Sequence, residues 1–523
     1  MKRNYLKRIH LILAFIIING ASYAQYTKLR DFAYDANSSV PFESFVQVGN
    51  TLYGTSYQGG TNGRGTIFRI QKDGSVYLKI HDFSGPDGEQ PKGSLYYDGT
   101  FLYGTTWKGG INNQGTIFKI KPDGTGFTSI FSFGNLTGNY PLASLISDGT
   151  FLYGTCSAGG SGQPGTIFKI LTDGSGFQLL HDGTYHHVPR CTLVLEGGFL
   201  YGTNSIGNKG SVFRIDTDGL GYSEIHVFNG TDGSSPYASL TFDGTYLYGT
   251  TQVGGTNNLG TIFKMLPNGN SFSTLVHFDG TTMGSAPSGD LLVENGNIYG
   301  MANSGGANGN GNLFKVGTDG SNFSVLKEFE NAVSGRSANG GLYSDGSTLF
   351  GMTTLGGVND AGTIFKYCNS NKNVTVSGVT ITADATGATY QWYDCGTSQP
   401  IPFQTGQSFT ATANGTYQVE VTIGGCSGFS TCETITTVGI EENINSKISI
   451  APNPTSGKVF LTSESQKIKS LEIKSVAGEL IFSSADFPTM KVTADLNGEP
   501  NGVYFVHVKL DDDSIIVKRI IKQ

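Results

Sequence analysis

The sequence predicts an all-β chain: a seven-bladed β-propeller closed by its own N-terminal strand, followed by two small β-sandwich domains. Three observations carry this. An LYGT-type run recurs with its aromatic residue at Tyr53, Tyr103, Tyr153, Tyr201, Tyr248, Tyr299 and, in a seventh copy, Phe350. A fixed period near 50 residues lies in the range of propeller blades. A GTIF-type run follows in step, its phenylalanine at Phe68, Phe118, Phe168, Phe213, Phe263, Phe314 and Phe365. The 76 glycines, with 14% charged and 11% aromatic residues, fit short strands and tight turns better than helices.

In chain order, the first segment has a basic start (Lys2, Arg3, Lys7, Arg8), an apolar stretch from Ile9 to Ile18 and small residues at Ser22 and Ala24. This is the pattern of a secretory signal peptide cut between Ala24 and Gln25. The apolar stretch is shorter than the roughly 20 residues that span a bilayer, so no transmembrane anchor is expected after processing. A net charge of −7 gives no electrostatic footprint for nucleic acid.

Each repeat reads as four strand-like runs. In the second copy they are a (Gly93 to Tyr97), b (Phe101 to Thr105), c (Gly115 to Ile120) and d (Phe127 to Phe133). Asp98-Gly99 joins a to b and Asp123-Gly124 joins c to d, and Asp-Gly supplies the positive φ of two-residue hairpins. The recurring carboxylates Asp73, Asp148, Asp173, Asp218, Asp243, Asp319 and Asp345 therefore read as turn formers rather than calcium ligands. Consecutive apolar residues in c, such as Ile117-Phe118, predict blades buried on both faces. The base after each GTIF phenylalanine (Arg69, Lys119, Lys169, Arg214, Lys264, Lys315, Lys366) reads as scaffold, pairing with a neighbouring blade, in preference to an anion site.

Closure is read from the ends of the repeats. The mature chain opens with a lone d-like run, Tyr26 to Phe32, and the seventh repeat stops after its c run, Gly362 to Tyr367. The first d run then completes the last blade and removes an exposed sheet edge. A linear solenoid would not require that out-of-phase start.

In such blades the a–b and c–d turns share one face, while the b–c loops and the d-to-a connections share the other, where loops are longer and more varied. Function concentrates on such loops over a rigid scaffold. Candidate binding residues there are Tyr57, Arg64, Trp107, Lys108, Tyr140, His186 and His187, with the acids Asp87 and Glu89 nearby. Trp107, the only tryptophan in the repeats, could seat a sugar ring or a peptide. No catalytic residue, metal or cofactor is assigned: H-E-x-x-H, G-x-S-x-G and nucleotide-binding glycine patterns do not occur. His81, His181 and His226 share one place in strand d, but His277 is shifted, so no ring of ligands forms. The expected partner is a glycan or protein. A polysaccharide lyase or hydrolase is the alternative, with Asp87 and Glu89 as the obvious acid pair, and a structural adhesion component is a third reading.

The units LYGTTxxGGxxxxGTIFKI followed by DGxxF resemble the Gloeo/Verruco tandem repeat of bacterial exported proteins, which implies a propeller-like surface protein and no catalytic residues. After Tyr367 the segment through Cys432 resembles small immunoglobulin-like or PKD-like modules, with Trp392 as core, Asn414-Gly415 as a hairpin and the role of a spacer or accessory adhesion module. Its four cysteines (Cys368, Cys395, Cys426, Cys432) permit three pairings, with Cys395 expected to bridge to Cys426 or Cys432. The segments ISIAPNPTSGKVFL, GVY and the terminal KRIIKQ resemble the type A C-terminal sorting domain of the type IX secretion system, implying that this machinery is a partner in export. The expected division is 1–24 signal peptide, 25–367 propeller, 368–437 sandwich module, 438–446 linker and 447–523 sorting domain.

Overall fold

The computed structural model describes residues 25–35, 37–162, 165–183, 188–205, 209–369, 372–424, 426–436 and 448–523. Ala24 and the rest of the expected signal peptide, His186, His187 and the 438–446 linker lie outside the described residues. Two compact units emerge. The first takes the chain up to Lys372 together with Gly387–Thr389 and Glu420–Phe429; the second takes Asn373–Thr386, Tyr390–Val419 and Ser430–Gln523.

The first unit contains seven small antiparallel sheets, one for each repeat, among the described residues. In the second repeat the strands are Tyr96–Tyr97, Leu102–Thr106, Thr116–Ile120 and Thr128–Ser132, the a to d of the sequence reading. The fourth strand of the seventh sheet is Tyr26–Asp31, antiparallel to Thr363–Cys368 with Tyr26 opposite Tyr367. The c–d pairs share a one-residue register shift, at Ile167/Phe168 and Ile262/Phe263 and again at Lys28/Arg30. Such a bulge increases local twist.

The a strand is shorter than Gly93 to Tyr97 predicts. Thr55 Oγ1 donates to Gly93 O (3.2 Å) and Thr105 Oγ1 to Ala143 O (3.0 Å), and the third and fourth repeats do the same to the next, so this part of the second to fifth repeats bonds the repeat before it.

Cores form between successive sheets. Tyr103, Ile117 and Phe133 of the second repeat bury against Leu145, Leu152 and Phe168 of the third. Phe45, Leu52 and Phe68 of the first bury against Phe350, Met352 and Ile364 of the seventh, with Phe32 in the same cluster. Each sheet thus has two covered faces, which explains the adjacent apolar residues in c. The base after the GTIF phenylalanine reaches the following repeat: Lys169 Nζ donates to Thr217 O (2.9 Å) and Lys264 Nζ to Thr318 O (2.8 Å). Their ammonium groups also lie over aromatic rings, Lys169 Nζ over Phe151 and Lys264 Nζ over Tyr246, each 4.9 Å from the centroid.

The a–b joins are short turns, as expected: Asp98 N donates to Phe101 O (3.1 Å) and Asp148 N to Phe151 O (3.3 Å), so two residues lie between and the aspartate stands just before them. The c–d join is one residue longer, with Lys121 N donating to Thr125 O (3.0 Å). The carboxylate holds the a–b turn: Asp148 accepts from the Thr150 and Phe151 amides (2.8 and 2.7 Å) and from the Tyr153 hydroxyl (2.8 Å). Asp98 and Asp243 repeat the arrangement. Where the seventh copy has Phe350 and no hydroxyl, Asp345 takes the Lys72 ammonium of the first repeat instead (2.9 Å).

Burial alone would raise the Asp148 carboxyl, but the Phe151 and Thr150 amides and the Tyr153 hydroxyl outweigh it and leave it below the usual range. A depressed folded value stabilises above the unfolded value, near 3.9, and that stabilisation is lost as pH falls through the folded value. Asp148→Ala is therefore expected to cost about 1 kcal/mol at pH 7, with the gap to wild type closing below about pH 4. Urea midpoints at pH 7 and pH 3 check this.

In the second unit, strands Val374–Ser377, Thr380–Ala383 and Ser408–Thr410 form one sheet. Gly415–Ile423 belongs to another, so Asn414-Gly415 is a crossing between sheets rather than a hairpin. Phe409 and Tyr417 explain the crossing: their rings pack together across the module (5.0 Å), and the Tyr417 hydroxyl donates back to Ala413 O (2.8 Å). Trp392 is fully buried and its indole N–H donates to Gly406 O (2.9 Å). The disulfides are Cys395–Cys432 and Cys368–Cys426, the latter within the first unit.

The last 76 residues make two sheets of three and four strands, from Ile448–Ala451 to Ile515–Lys522, around Val459, Leu461, Leu471, Ile473, Val506, Val508 and Ile520. Asn453 of the PNP run brackets the terminal strand, donating to Arg519 O (2.7 Å) and accepting from the Ile521 amide (2.8 Å). The two ends of the sorting motif are thereby one structural feature.

Candidate functional site

The b–c loops and d-to-a connections lie together, as strand direction requires. Glu89 pairs with Lys108, Asn139 with Ala158, Ser234 with Val253 and Arg336 with Leu355. Several sequence candidates converge there. Tyr57 and Trp107 are 6.2 Å apart and Trp107 and Tyr140 5.9 Å apart, ring to ring, and all three are half-buried. Lys108 Nζ stands 4.4 Å from the Trp107 centroid. Tyr140 has a left-handed φ of 60°, but Gln90 and Ser235 share it at the equivalent place, so the kink belongs to the scaffold. Arg64 is an exposed partner of Glu89. Asp87 binds the His81 ring (3.0 Å) and the Ser84 amide (2.8 Å). Asp87 and Glu89 are thus already engaged and do not form an open acid pair.

Beside this aromatic trio is a cavity of about 220 Å³ lined by Phe42, Glu43, Lys92, Leu142, Arg190, Tyr237, Gln252, Ser288 and Asn339. Seven of these residues occupy one place in the repeat, eleven positions before the LYGT aromatic: Phe42, Lys92, Leu142, Arg190, Tyr237, Ser288 and Asn339. Gln252 stands four positions after it, the place held by Tyr57 and Trp107 in the first two repeats.

Backbone packing brings that place together. Next to the lining residues, Ser144 N donates to Thr192 Oγ1 (3.1 Å), Thr192 N to Ser239 Oγ (2.9 Å) and Ser239 N to Asp290 Oδ1 (2.7 Å), each from one repeat to the next. At Gly340 in the seventh repeat a Cβ would lie 2.6 Å from Phe42 O in the first, so this close approach needs glycine.

Sequence reasoning missed the lining residues because their types differ in every copy. The available signal was the offset itself, a variable position flanked by repeated ones.

The cavity is electrostatically uneven. Lys92 Nζ faces three rings, at 4.3 Å from the Trp107 centroid, 4.9 Å from Tyr57 and 5.3 Å from Phe42. Burial pushes its pKa down, and the charges of Arg190 and Lys108 push the same way. The Arg190 guanidinium stands 5.1 Å over Tyr237, and its buried Nε has no hydrogen-bond partner. On the wall, Glu43 is raised well above the carboxylate range by burial and then by the charge of Asp290. Ser288 and Asn339 bond to each other (3.1 Å).

No curated protein matches the chain. Solved structures with similarity include the extracellular domain of a hybrid two-component system from B. thetaiotaomicron, at 10% identity, covering 94% of this chain and 66% of that one, TM-score 0.46. A puromycin-hydrolyzing peptidase from Mycobacterium tuberculosis matches at 10% identity over 85% of this chain and 63% of that one, TM-score 0.44. A chain of a nidogen/laminin complex matches at 17% identity over 51% of this chain and 90% of that one, TM-score 0.37. Likeness of this degree assigns no activity.

The Gloeobacter/Verrucomicrobia repeat matches residues 18–209, 146–334 and 197–392, and the secretion system C-terminal sorting domain matches residues 449–523. The sorting domain marks an exported protein that leaves by type IX secretion and is secreted or attached to the cell surface, and no helix among the described residues is long and apolar enough to cross a membrane. With its repeats matched over well more than half its length, the chain belongs to the Gloeobacter/Verrucomicrobia repeat family.

Proposed function

We propose that the chain is an exported, seven-bladed propeller closed by its first strand, and that it binds a glycan or protein ligand on the face of the b–c and d-to-a loops. One observation carries the reading: a single cavity lined by the same repeat position from all seven copies, with the ring trio of Tyr57, Trp107 and Tyr140 at its side. Seven residues some 50 apart in sequence at one cavity support repeats that circle an axis. Pairing of Tyr26–Asp31 with Thr363–Cys368 and the bond from the Tyr343 hydroxyl to Gln47 Oε1 (2.5 Å) support closure. Binding sites favour such concave places with a few convergent polar groups. The domain limits of the sequence reading, and the segment before Gln25 as a cleaved signal, are part of the proposal.

Glycan arrays and pull-downs with the full mature chain test it. Trp107→Ala is expected to lower affinity for a captured ligand about tenfold or more, the scale of losing one base-sized or sugar-sized stacking platform. Capture unchanged by that substitution would move the site elsewhere.

Glu43 favours a second reading. A carboxyl held toward its acid form beside another acid, in a cleft, has the protonation a general acid needs. Polysaccharide cleavage that is abolished by Glu43→Gln would establish the enzyme.

A further inference from the structure

Two cations line the axial cavity, and neither forms an ion pair with Glu43, the acid of the same lining. Lys92 and Arg190 come from the second and fourth repeats, occupy the same repeat position and are close enough for the charge of Arg190 to depress Lys92. Neither has an ion-pair partner among the described residues. Lys92 meets only ring faces, and the buried Arg190 Nε is left without an acceptor. The contrast with the other repeated bases is instructive: Lys119, Lys169 and Lys264 all donate to backbone carbonyls.

A buried donor left without an acceptor costs stability, more so when charged. Two like charges facing one cavity add repulsion. Scaffold needs do not explain the pair, because the other five repeats place Phe, Leu, Tyr, Ser and Asn at the same position. An incoming oxyanion would remove both penalties, since guanidinium and ammonium bind carboxylate or sulfate oxygens by charge-assisted hydrogen bonds. Beside them stand the rings of Tyr57, Trp107 and Tyr140, with the Lys92 ammonium over Trp107 and Tyr57; an oxyanion that draws this ammonium toward itself frees ring face on which a sugar can stack. At about 220 Å³ the cavity is below the usual size of a drug-like pocket, so it suits one acidic residue of a chain whose remainder lies along the loop face.

We infer that the axial cavity binds the acidic group of an anionic saccharide, with Lys92 and Arg190 as its oxyanion ligands and Trp107 and Tyr57 as the platform for the sugar ring. The inference rests on the loop-face binding reading and adds the class of ligand. Carboxylate and sulfate share this chemistry, and the ligand panel separates them.

The test uses the full mature chain and calorimetry with four probes: oligogalacturonate, a sulfated dextran, neutral dextran and poly-glutamate. Variants are Lys92→Met, Arg190→Gln and Trp107→Ala. Binding of oligogalacturonate or of sulfated dextran, but not of neutral dextran, is expected, and whichever binds identifies the acidic group. Lys92→Met and Arg190→Gln should each weaken it about tenfold or more. Both should fold with a melting temperature equal to or above wild type, because each removes an uncompensated charge; a fall of several degrees would assign the cations to the scaffold and overturn the inference.

Binding of neutral dextran that Trp107→Ala abolishes and the charge variants leave intact would overturn the anion assignment while keeping the loop-face site. Preference for poly-glutamate would replace the saccharide by an acidic peptide. No binding by any probe, with wild-type capture in pull-downs insensitive to all three variants, would remove both readings.

Discussion

A chain lacking residues 25–32 is expected to lose its cooperative thermal transition and to aggregate. The first strand supplies all of the d position of the seventh sheet. Its ladder to Thr363–Cys368 is extended at both ends, by Cys368 N to Gln25 O (2.7 Å) and Phe32 N to Gly362 O (2.9 Å). Phe32 is 1% exposed beside Phe68, and the Tyr26 ring stacks on Phe365 at 5.3 Å. Side chains also cross: Asn359 donates to Phe32 O (3.0 Å), and Asp31 accepts from the Val358 amide (3.0 Å).

A fully buried large apolar side chain contributes about 1.5–3 kcal/mol, so losing Phe32, the partly buried Tyr26 and Leu29 and a strand's hydrogen bonds removes a large share of a domain's stability, roughly 5–15 kcal/mol. The seventh sheet would also expose its c strand as a bare edge, a template for association. Size-exclusion chromatography and a melting scan read both effects. A truncated monomer that melts within a few degrees of the full chain would show that closure contributes little. Phe32→Ala in the full chain, expected to cost about 3–5 kcal/mol, isolates the packing part.

The second large effect lies where strand b crosses strand c. Gly154 pairs with Phe168, and a Cβ on Gly154 would lie 2.6 Å from the Phe168 ring tip and 2.9 Å from Leu145 Cδ2. Phe168 has no freedom to move aside: it is fully buried, with Phe133 at 5.2 Å and Phe177 at 5.6 Å. Gly154→Ala is therefore an overpacking change, expected to cost about 1–3 kcal/mol, and Phe168→Ala leaves a cavity costing about 3–5 kcal/mol. In the double variant the new methyl enters space the ring vacated, so the combined loss should fall below the sum of the two. Simple additivity by chemical denaturation would mean that the glycine is kept for some other reason than the ring.

The second prediction concerns residues present in every copy, and those were the legible ones. A position that serves the scaffold meets the same neighbours seven times and keeps its type, so Gly154 and Phe168 stand out as LYGT and GTIF. The repeated bases were legible for the same reason, and their bonds to the following repeat agree with a scaffold role. The turn geometry was less so. Asp-Gly indicated a turn, but not that Asp148 stands before the two loop residues and uses its carboxylate to gather two amides and a tyrosine hydroxyl.

Asn414-Gly415 misled because a local dipeptide carries no information about which sheet the next strand joins; the packing of Phe409 against Tyr417 decides that.

The amino-acid sequence by itself determined the all-β class, the seven-fold period, the out-of-phase first strand and the C-terminal sorting domain, because each is written in local residue patterns. Tertiary structure alone decided which cysteines pair, that Asp345 would take Lys72 in place of a tyrosine hydroxyl, and that Phe42, Lys92, Arg190, Tyr237 and their counterparts would face one cavity. The physical reason is common to all three. These contacts join residues far apart in the chain, so no local motif records them, and only the folding of the chain brings them within reach.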